Sequence, residues 1–180
     1  AGVSAAAALA ADAEVLLLEA EPGTGQHSTA RSAAIFIRNY GNAALRALND
    51  RAAGFFEAPD IDVEAPLLTP RGELLLATGE ELDLLEEYAA GSAGLERLSA
   101  VEAERMVPIL KPGHFAGAVL EPEARDIDVD AMLQGFLRQF RARGGQLRCK
   151  APVSALSREA GLWQIVAGGE IGAAFQQFGR

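Results

Sequence analysis

The sequence predicts an α/β protein, and three features near its start carry this prediction. An alanine-rich segment that opens on Gly2 favours a helix, because alanine has the highest helix propensity. Residues 15–18 are continuously apolar, which is typical of a parallel strand buried on both faces, and they end in the acid Glu19. A loop of small and polar residues follows at 27–34. This order of helix, strand and loop indicates a βαβ unit.

The βαβ unit has the features of a dinucleotide-binding site. In such units the helix N-terminus faces the pyrophosphate, and the acid that ends the second strand accepts hydrogen bonds from a ribose. Glu19 follows Gly2 by 17 residues, which suits a G-x-G-x-x-G fingerprint whose third glycine is Gly2. Gly2 would then allow close helix–strand packing, and Glu19 would oppose the 2′-phosphate of NADP. The alternatives are an ordinary helix-start glycine and a solvated acid.

The first strand and the first two glycines of that fingerprint are not in the sequence. We expect them to precede Ala1 in a longer protein.

Helical and strand patterns alternate over the next segment. Residues 30–36 predict a short helix, and residues 42–56 repeat apolar side chains at helical spacing. Residues 73–78 form an apolar run of strand length. Residues 80–90 are amphipathic, with leucines and a tyrosine on one side, and therefore predict another helix.

A capping signal and a double glycine define the later helices. Ser99 and Glu102 have the spacing of a capping box, so a helix is expected to begin there and to end before Pro108. A second helix, capped by Asp128 or Asp130, would end at the two glycines 144 and 145. Strands are predicted at residues 116–120, 146–149, 153–157 and 162–167.

Composition and charge exclude several function classes. The 180 residues suffice for one domain, or for one domain and part of another, and their hydrophobic fraction of 49% supports a core. The net charge of −9 argues against nucleic acid and anionic membranes, but not against an anionic cofactor that local amides bind. No apolar run approaches the roughly 20 residues of a transmembrane helix. Cys149 is the only cysteine, so no internal disulfide forms, and a cytoplasmic location is predicted.

Several segments together carry a resemblance to a known family. They are Ala1-Gly2, the strand that ends in Glu19, and residues 27–34, 66–73, 107–108 and 126–130. In this order they resemble the D-amino-acid oxidase-type family of FAD-dependent oxidoreductases, and most closely its bacterial D-arginine (D-amino acid) dehydrogenase branch. The resemblance extends to about residue 166.

The resemblance implies an α/β architecture of two interleaved domains. One is a Rossmann-like FAD-binding domain without its first strand, and the other is part of an α+β substrate domain. The FAD-binding domain would comprise residues 1–41 and 144–168, and the first half of the substrate domain would comprise residues 42–143. Residues 169–180 stay unassigned, because the family pattern is lost there.

FAD is the cofactor that the resemblance implies. The residues it assigns to FAD are Ala1, Gly2, Glu19, Ala20, Ser28, Thr29, Arg31, Ser32, Ala33, Ala34 and Val153. Hydroxyls, amides and one cation in the loop would satisfy pyrophosphate and ribityl oxygens. The alternative is a capped helix start with Arg31 in solvent. Val153 would offer backbone groups to the adenine, or else be a core strand residue.

A substrate pocket is also implied by the resemblance. Tyr40 would close the pocket over the flavin, and Glu73 would pair with a cationic substrate side chain. Ile35 stands where the D-arginine dehydrogenase branch has a histidine, which makes the pocket more apolar. The alternatives are a core aromatic for Tyr40 and a solvated strand-edge acid for Glu73.

No side chain is assigned as catalytic, because hydride transfer to a flavin needs orientation and electrostatics more than a protein base. No metal site is expected, since neither His27 nor His114 has a partner at ligand spacing. The family's later substrate-binding arginine and tyrosine residues have no counterpart here, so we expect the chain to be part of a longer enzyme.

The predicted function is FAD-dependent oxidation of the α-carbon of a D-amino acid, such as D-arginine, to the imino acid. One alternative keeps FAD but changes the substrate to a 2-hydroxy acid or glycerol 3-phosphate. Another is a non-catalytic fragment. In either enzymatic reading the partner is a small-molecule substrate, and oxygen or a quinone is open as the electron acceptor.

Overall fold

The computed structural model describes most of the chain as two compact units. The described residues are 1–159, 162–168 and 170–176. The first unit comprises Ala1–Ser32, Ile61–Glu64 and Val129–Arg180, and the second comprises Ala33–Asp60 and Ala65–Asp128. Residues 33–41 thus belong to the second unit and residues 129–143 to the first, unlike in the domain division that the resemblance implies. Which unit binds which molecule stays a prediction.

Two helices and a pair of parallel strands form the core of the first unit. Helix α1 (Gly2–Leu9) and helix α5 (Val129–Ala142) contact each other, and strand β1 (Leu16–Leu18) pairs in parallel with β8 (Gln146–Arg148). Alanines of α1 pack against the fully buried Phe140 of α5. The predicted parallel strand is therefore confirmed.

The expected burial of β1 on both faces is wrong. Leu16 is exposed, and Leu17 and Leu18 are only half-buried. Leu17 packs against the cluster formed by α1 and α5, but neither hydrophobic cluster within the described residues includes Leu16 or Leu18, whose side chains alternate to the opposite face.

Helix α5 ends at the double glycine, as predicted. The Gly144 N–H donates to the Arg141 carbonyl at 3.0 Å, and the Gly145 N–H donates to the Phe140 carbonyl at 2.9 Å. With Gly144 at a φ of +80°, these two bonds make a Schellman C-cap. A Cβ on Gly145 would lie 2.0 Å from the Phe140 ring, so only glycine fits there.

An antiparallel sheet of three strands completes the first unit. Its order is β11-β10-β9, formed by Glu170–Gln176, Leu162–Ala167 and Val153–Glu159. Strands β9 and β10 confirm the sequence prediction. Strand β11 was not predicted, because the segment after 169 lacks a clear strand pattern; its pairing with β10 supplies the order. The rest of the unassigned tail, residues 177–180 with residue 169, lies outside the described residues.

The second unit contains two antiparallel sheets. The first has the order β2-β7-β3, formed by Ile35–Phe36, Arg125–Ile127 and Leu68–Pro70. The other has the order β4-β6-β5, formed by Glu73–Ala77, Gly117–Glu121 and Glu96–Ser99. The mixture of helices with parallel and antiparallel strands agrees with the predicted fold class.

Three helices belong to the second unit. They are α2 (Ala43–Glu57), α3 (Leu82–Ala90), which follows a 3₁₀ turn at Gly79–Glu81, and α4 (Ala100–Met106). Leu85 and Ala89 of α3 pack on Ala77 of β4 and Val119 of β6 to form the core of this unit.

The capping box at the start of α4 is confirmed. The Glu102 N–H donates to Ser99 Oγ at 3.3 Å, and the Ser99 N–H donates to Glu102 Oε2 at 2.8 Å. The helix ends before Pro108, as predicted. Helix α2 begins after Asn42, whose Oδ1 accepts from the Leu45 N–H at 3.1 Å.

The short helix predicted at residues 30–36 is wrong. Ile35 and Phe36 instead form β2, with Asp126 and Arg125 of β7 as their partners. A β-branched and an aromatic residue fit a strand well, and pairing with a distant segment outweighs a weak local helix preference.

Candidate functional site

The N-terminus of α1 borders a cleft of about 250 Å³ in the first unit, called here the first cleft. It is lined by Ala1, Gly2, Val3, Leu17, Leu18, Glu19, Thr24, Gly25, His27, Ser28, Thr29 and Leu133. The structure thus brings together the helix start, the end of β1 and the loop after it. Of the residues that the resemblance assigns to FAD, the cleft contains Ala1, Gly2, Glu19, Ser28 and Thr29.

Hydrogen bonds from both its backbone groups and its side chain fix Glu19. Its N–H donates to the Arg148 carbonyl and its carbonyl accepts from the Ala151 N–H, each at 2.9 Å. Its carboxylate atom Oε1 accepts from the Glu21 N–H at 3.0 Å. Glu19 is half-buried, so its carboxylate is an oriented acceptor at the strand end and not a fully solvated one.

The start of α1 offers backbone donors to the first cleft. The first N–H groups of any helix have no acceptor within the helix. Ala1 at the N-cap provides no side-chain oxygen, and the Ala1 carbonyl is already the acceptor for Ala5. Free N–H groups at a helix N-terminus, with a positive macrodipole, suit a pyrophosphate.

The packing reason predicted for Gly2 does not hold. A Cβ at this position would lie 3.9 Å from Leu17 Cδ1, which is an ordinary van der Waals distance. The contact between α1 and β1 therefore does not require glycine. The assignment of Gly2 to the FAD site stays a prediction.

The loop after β1 is folded by its own backbone bonds. The Ala30 N–H donates to the Gly25 carbonyl at 2.9 Å, and the Arg31 N–H donates to the His27 carbonyl at 3.1 Å. His27 Nε2 lies 3.0 Å from Glu21 Oε1, which holds this ring at the edge of the first cleft. Ser28 and Thr29 are thereby presented to the cleft.

Gly25 and Leu133 line the first cleft and were not predicted from the sequence. Gly25 has a φ of +81°, and a Cβ on it would lie 2.6 Å from Leu133 Cδ2 of α5. The proline and glycines around residue 23 signal a loop, but nothing local signals the contact with Leu133.

The other residues assigned to FAD lie outside the first cleft's lining. Ala20, Arg31 and Ser32 are exposed. Val153 begins β9 and is 48% exposed, so it is not the core strand residue considered as its alternative. Their roles toward FAD stay predictions, as do those of Ala33 and Ala34, which belong to the second unit.

Ala34 adopts an unusual backbone conformation. Its φ of +53° lies in the left-handed region, which non-glycine residues rarely adopt. Its carbonyl accepts from the Ile127 N–H at 2.6 Å, and this bond to β7 holds the conformation. Strain of this kind clusters at functional sites.

A cleft of about 400 Å³ in the second unit, called here the second cleft, contains all three predicted substrate residues. Its lining residues are Ala33, Ile35, Phe36, Ile37, Tyr40, Asn49 and Glu73. Tyr40 is 65% exposed, so it is not a core aromatic. The lining is apolar apart from the Tyr40 hydroxyl, the Asn49 amide and the Glu73 carboxylate.

Glu73 is half-buried at the start of β4. Burial raises the pKa of its carboxyl group, and the neighbouring Glu121 carboxylate raises it further, whereas Arg71 lowers it. The Arg71 guanidinium lies 2.7 Å from Asp126 and is therefore shared with another acid. Glu73 is thus a partly desolvated acceptor that lacks a dedicated cation of its own.

Helix α2 holds one wall of the second cleft in place. Asn49 Nδ2 donates to the Ile37 carbonyl at 3.0 Å and lies 3.4 Å from the Tyr40 carbonyl. These bonds tie the segment that bears Tyr40 to the helix. Asn49 was missed from the sequence, because it lies outside the predicted apolar stripe of α2 and no local pattern indicates its contacts with residues 37 and 40.

Within residues 1–159 and the described part beyond them, no three metal-ligating side chains are grouped to hold an ion. In the same residues, no helix has the length and apolar character needed to cross a membrane. The strand predicted at residues 146–149 includes Cys149, but β8 ends at Arg148, and Cys149 follows it and is half-buried. The cytoplasmic location stays a prediction.

Comparison with known proteins identifies a matching family. A family model described as "FAD dependent oxidoreductase" (DAO) matches residues 1–176.

Solved structures share the fold at low sequence identity. An FAD-bound L-α-glycerophosphate oxidase from Mycoplasma pneumoniae has a TM-score of 0.77 and 14% identity, over 93% of this chain and 47% of its own. Glycine oxidase from Geobacillus kaustophilus has a TM-score of 0.77 and 20% identity, over 96% of this chain and 50% of the oxidase chain. Iminodiacetate oxidase from a Chelativorans species has a TM-score of 0.69 and 23% identity, over 97% of this chain and 50% of the oxidase chain. The chain spans about half the length of these structures.

Proposed function

The chain belongs to the family of FAD dependent oxidoreductases, and from this premise we propose that it forms part of an enzyme that oxidises the α-carbon of a D-amino acid. The proposal includes a preference for basic substrates such as D-arginine. The observation that carries it is the second cleft, where Glu73 lies with Tyr40 and Ile35.

The first cleft supports FAD as the molecule it binds. Its donors are the uncapped N–H groups of α1 and the hydroxyls of Ser28 and Thr29, and its principal acceptor is the Glu19 carboxylate. Donors suit the pyrophosphate, and an oriented carboxylate suits the two ribose hydroxyls. FAD, when bound, supplies the two-electron acceptor for the hydride that leaves the substrate's α-carbon.

The second cleft supports a substrate with a cationic side chain. A partly desolvated carboxylate attracts a guanidinium or ammonium group more strongly than one in water, because the local dielectric is lower. Ile35, Phe36 and Ile37 supply apolar contacts for the methylene groups of such a side chain. Neutral substrates would use those apolar contacts but would gain nothing from Glu73.

The proposal is tested with the full-length enzyme and a Glu73→Gln variant. We expect kcat/KM for D-arginine to fall by about tenfold for each 1.4 kcal/mol of lost stabilisation, with D-leucine little affected. A matched control is Glu96→Gln, which removes an exposed acid in β5, a strand of the same sheet that is separated from β4 by β6. It should leave both substrates unchanged.

Other outcomes would refute the proposal. An equal loss for both substrates would mean that Glu73 supports the fold and not the choice of substrate. Turnover of a 2-hydroxy acid or glycerol 3-phosphate, with none of any D-amino acid, would assign the enzyme to the alternative substrates. Purified protein without flavin absorbance would favour a non-catalytic fragment.

A further inference from the structure

Glu73 has a second acid directly opposite it in the sheet. Strands β4 and β6 are antiparallel, and their register pairs Glu73 with Glu121. Directly opposed residues project their side chains to the same face of a sheet. Side chains alternate along a strand, so this is also the face of Leu75 and Val119, against which α3 packs. The two carboxylates therefore share the helix-covered face.

Glu121 is one of the most deeply buried side chains in the described residues, at 1% exposure. The Tyr88 hydroxyl of α3 donates to its Oε2 at 3.4 Å. The Arg46 guanidinium of α2 lies over the Tyr88 ring, 5.5 Å from its centre, but is not paired with the acid. None of the ion pairs between described residues includes Glu73 or Glu121.

Burying a carboxylate without a cation costs desolvation free energy. A second carboxylate directly opposite adds repulsion between like charges. The effects appear in the neighbouring groups: the pKa of Glu73 is raised, and burial with the nearby Glu121 charge raises the pKa of Tyr88 to about 12. Arg71 lowers the pKa of Glu73, and Arg46 lowers the pKa of Tyr88. Neither acid has an ion-pair partner among the described residues, so a cationic ligand would relieve the repulsion between them.

We propose that Glu121 is a positioning residue for substrate recognition, whose buried carboxylate, held by Tyr88, faces Glu73 and strengthens the attraction of the second cleft for a guanidinium or ammonium group. The inference rests on the proposed function and extends it. Glu73 touches the cation, and Glu121 acts through Glu73 by adding a second negative charge behind it. Binding of the cation also displaces any proton held by Glu73, so recognition depends on pH.

The test replaces Glu121 by glutamine, which keeps the shape and can still accept from Tyr88. In the full-length enzyme we expect Glu121→Gln to raise the KM for D-arginine by about tenfold, with kcat and the KM for D-leucine unchanged. Glu121→Asp keeps the charge and should retain a D-arginine KM close to that of the wild type. Glu86→Gln is the matched control, because it removes an exposed acid of α3 that pairs with Arg97.

The pH profile separates this role from a merely structural one. In the wild type, the KM for D-arginine should fall as pH rises through the raised pKa of Glu73, because the ionised carboxylate binds the cation. In Glu121→Gln that inflection should move to lower pH, because one of the charges that raise the pKa is gone. The KM for D-leucine should show no such inflection in either protein.

A binding measurement distinguishes failure of this inference from failure of the proposed function. Agmatine is a guanidinium compound without an α-carboxylate. Calorimetric titration of the oxidised holoenzyme with agmatine measures the affinity of the second cleft for a guanidinium group without turnover. We expect Glu121→Gln to weaken agmatine binding by the same factor as it raises the KM. Equal effects on D-arginine and D-leucine, unchanged agmatine affinity, or a wild-type D-arginine KM that is flat with pH would each overturn the inference. No turnover of any amino acid would refute the proposed function alone.

Discussion

The N–H of Glu21 donates a 3.0 Å hydrogen bond to Oε1 of Glu19, the acid that ends β1. Backbone bonds to Arg148 and Ala151 fix the same residue from the side of β8. The carboxylate is therefore oriented toward its cleft before any ligand binds. Such preorganisation lowers the entropic cost of binding. It also makes Glu19 a sensitive point at which to test the account.

Gly25→Ala should distort the loop of the first cleft. The φ of +81° disfavours alanine, and its Cβ would lie 2.6 Å from Leu133. We expect a loss of about 1–3 kcal/mol in the free energy of unfolding, measured by urea denaturation, together with weaker FAD binding. Gly23→Ala is the control, because its Cβ would meet only the end of the Gln26 side chain at 3.5 Å. Equal stability of the two variants would contradict the loop geometry.

Gly145→Ala should destabilise the first unit through a clash with the buried Phe140 ring. The expected cost is about 1–3 kcal/mol, because the ring must move out of a packed core. Gly54→Ala offers the opposite case, since a Cβ there meets nothing within 4 Å in helix α2. Gly54→Ala should raise the free energy of unfolding by about 0.5–1 kcal/mol, because alanine favours a helix more than glycine does. Thermal unfolding of both variants checks the pair, and a neutral Gly145→Ala would refute the close approach.

Asn42→Ala should weaken helix α2, because it removes the side-chain acceptor for the Leu45 N–H. The expected cost is about 1 kcal/mol in the free energy of unfolding. Asn42→Asp keeps an acceptor at the helix start and should be close to the wild type. Since Asn49 of this helix holds the segment of Tyr40, the alanine variant should also raise the KM for substrate. Unchanged stability in urea would show that the cap contributes nothing.

The raised pKa of Glu73 predicts a specific pH dependence of stability. The folded state binds this proton more tightly than the unfolded state does. Its contribution is therefore complete below the unfolded pKa and is lost as pH rises through the folded pKa. Urea denaturation across this range should show a decline in the wild type that is smaller in Glu73→Gln. Identical slopes in the two proteins would mean that burial and Glu121 do not act on this group.

Local signals and distant contacts account for what the sequence could and could not predict. Ser99 with Glu102 and the glycines after α5 act within a few residues, and their structures are as predicted. Strand β2 depends on β7, which lies about ninety positions further along the chain. The local helix preference around Ile35 therefore gave a wrong prediction.

The candidate site shows the same division. Glu19 was assigned by its spacing from Gly2, and Ser28 and Thr29 were assigned by the family resemblance; the first cleft contains all three. Leu133 comes from α5 and has no local signal. Glu121 became visible only through the register that places it opposite Glu73, since a strand pattern does not reveal its own partner.

The most direct test of the account is the affinity of the apoprotein for FAD in the wild type and in Glu19→Ala. Loss of a charge-assisted contact to the ribose should weaken binding by about 1.5–3 kcal/mol, or roughly 10- to 150-fold. Glu14→Ala, at the other end of the same strand segment and exposed, should bind FAD like the wild type. Equal FAD affinity in Glu19→Ala and the wild type would remove Glu19 from the cofactor site and contradict the assignment of the first cleft.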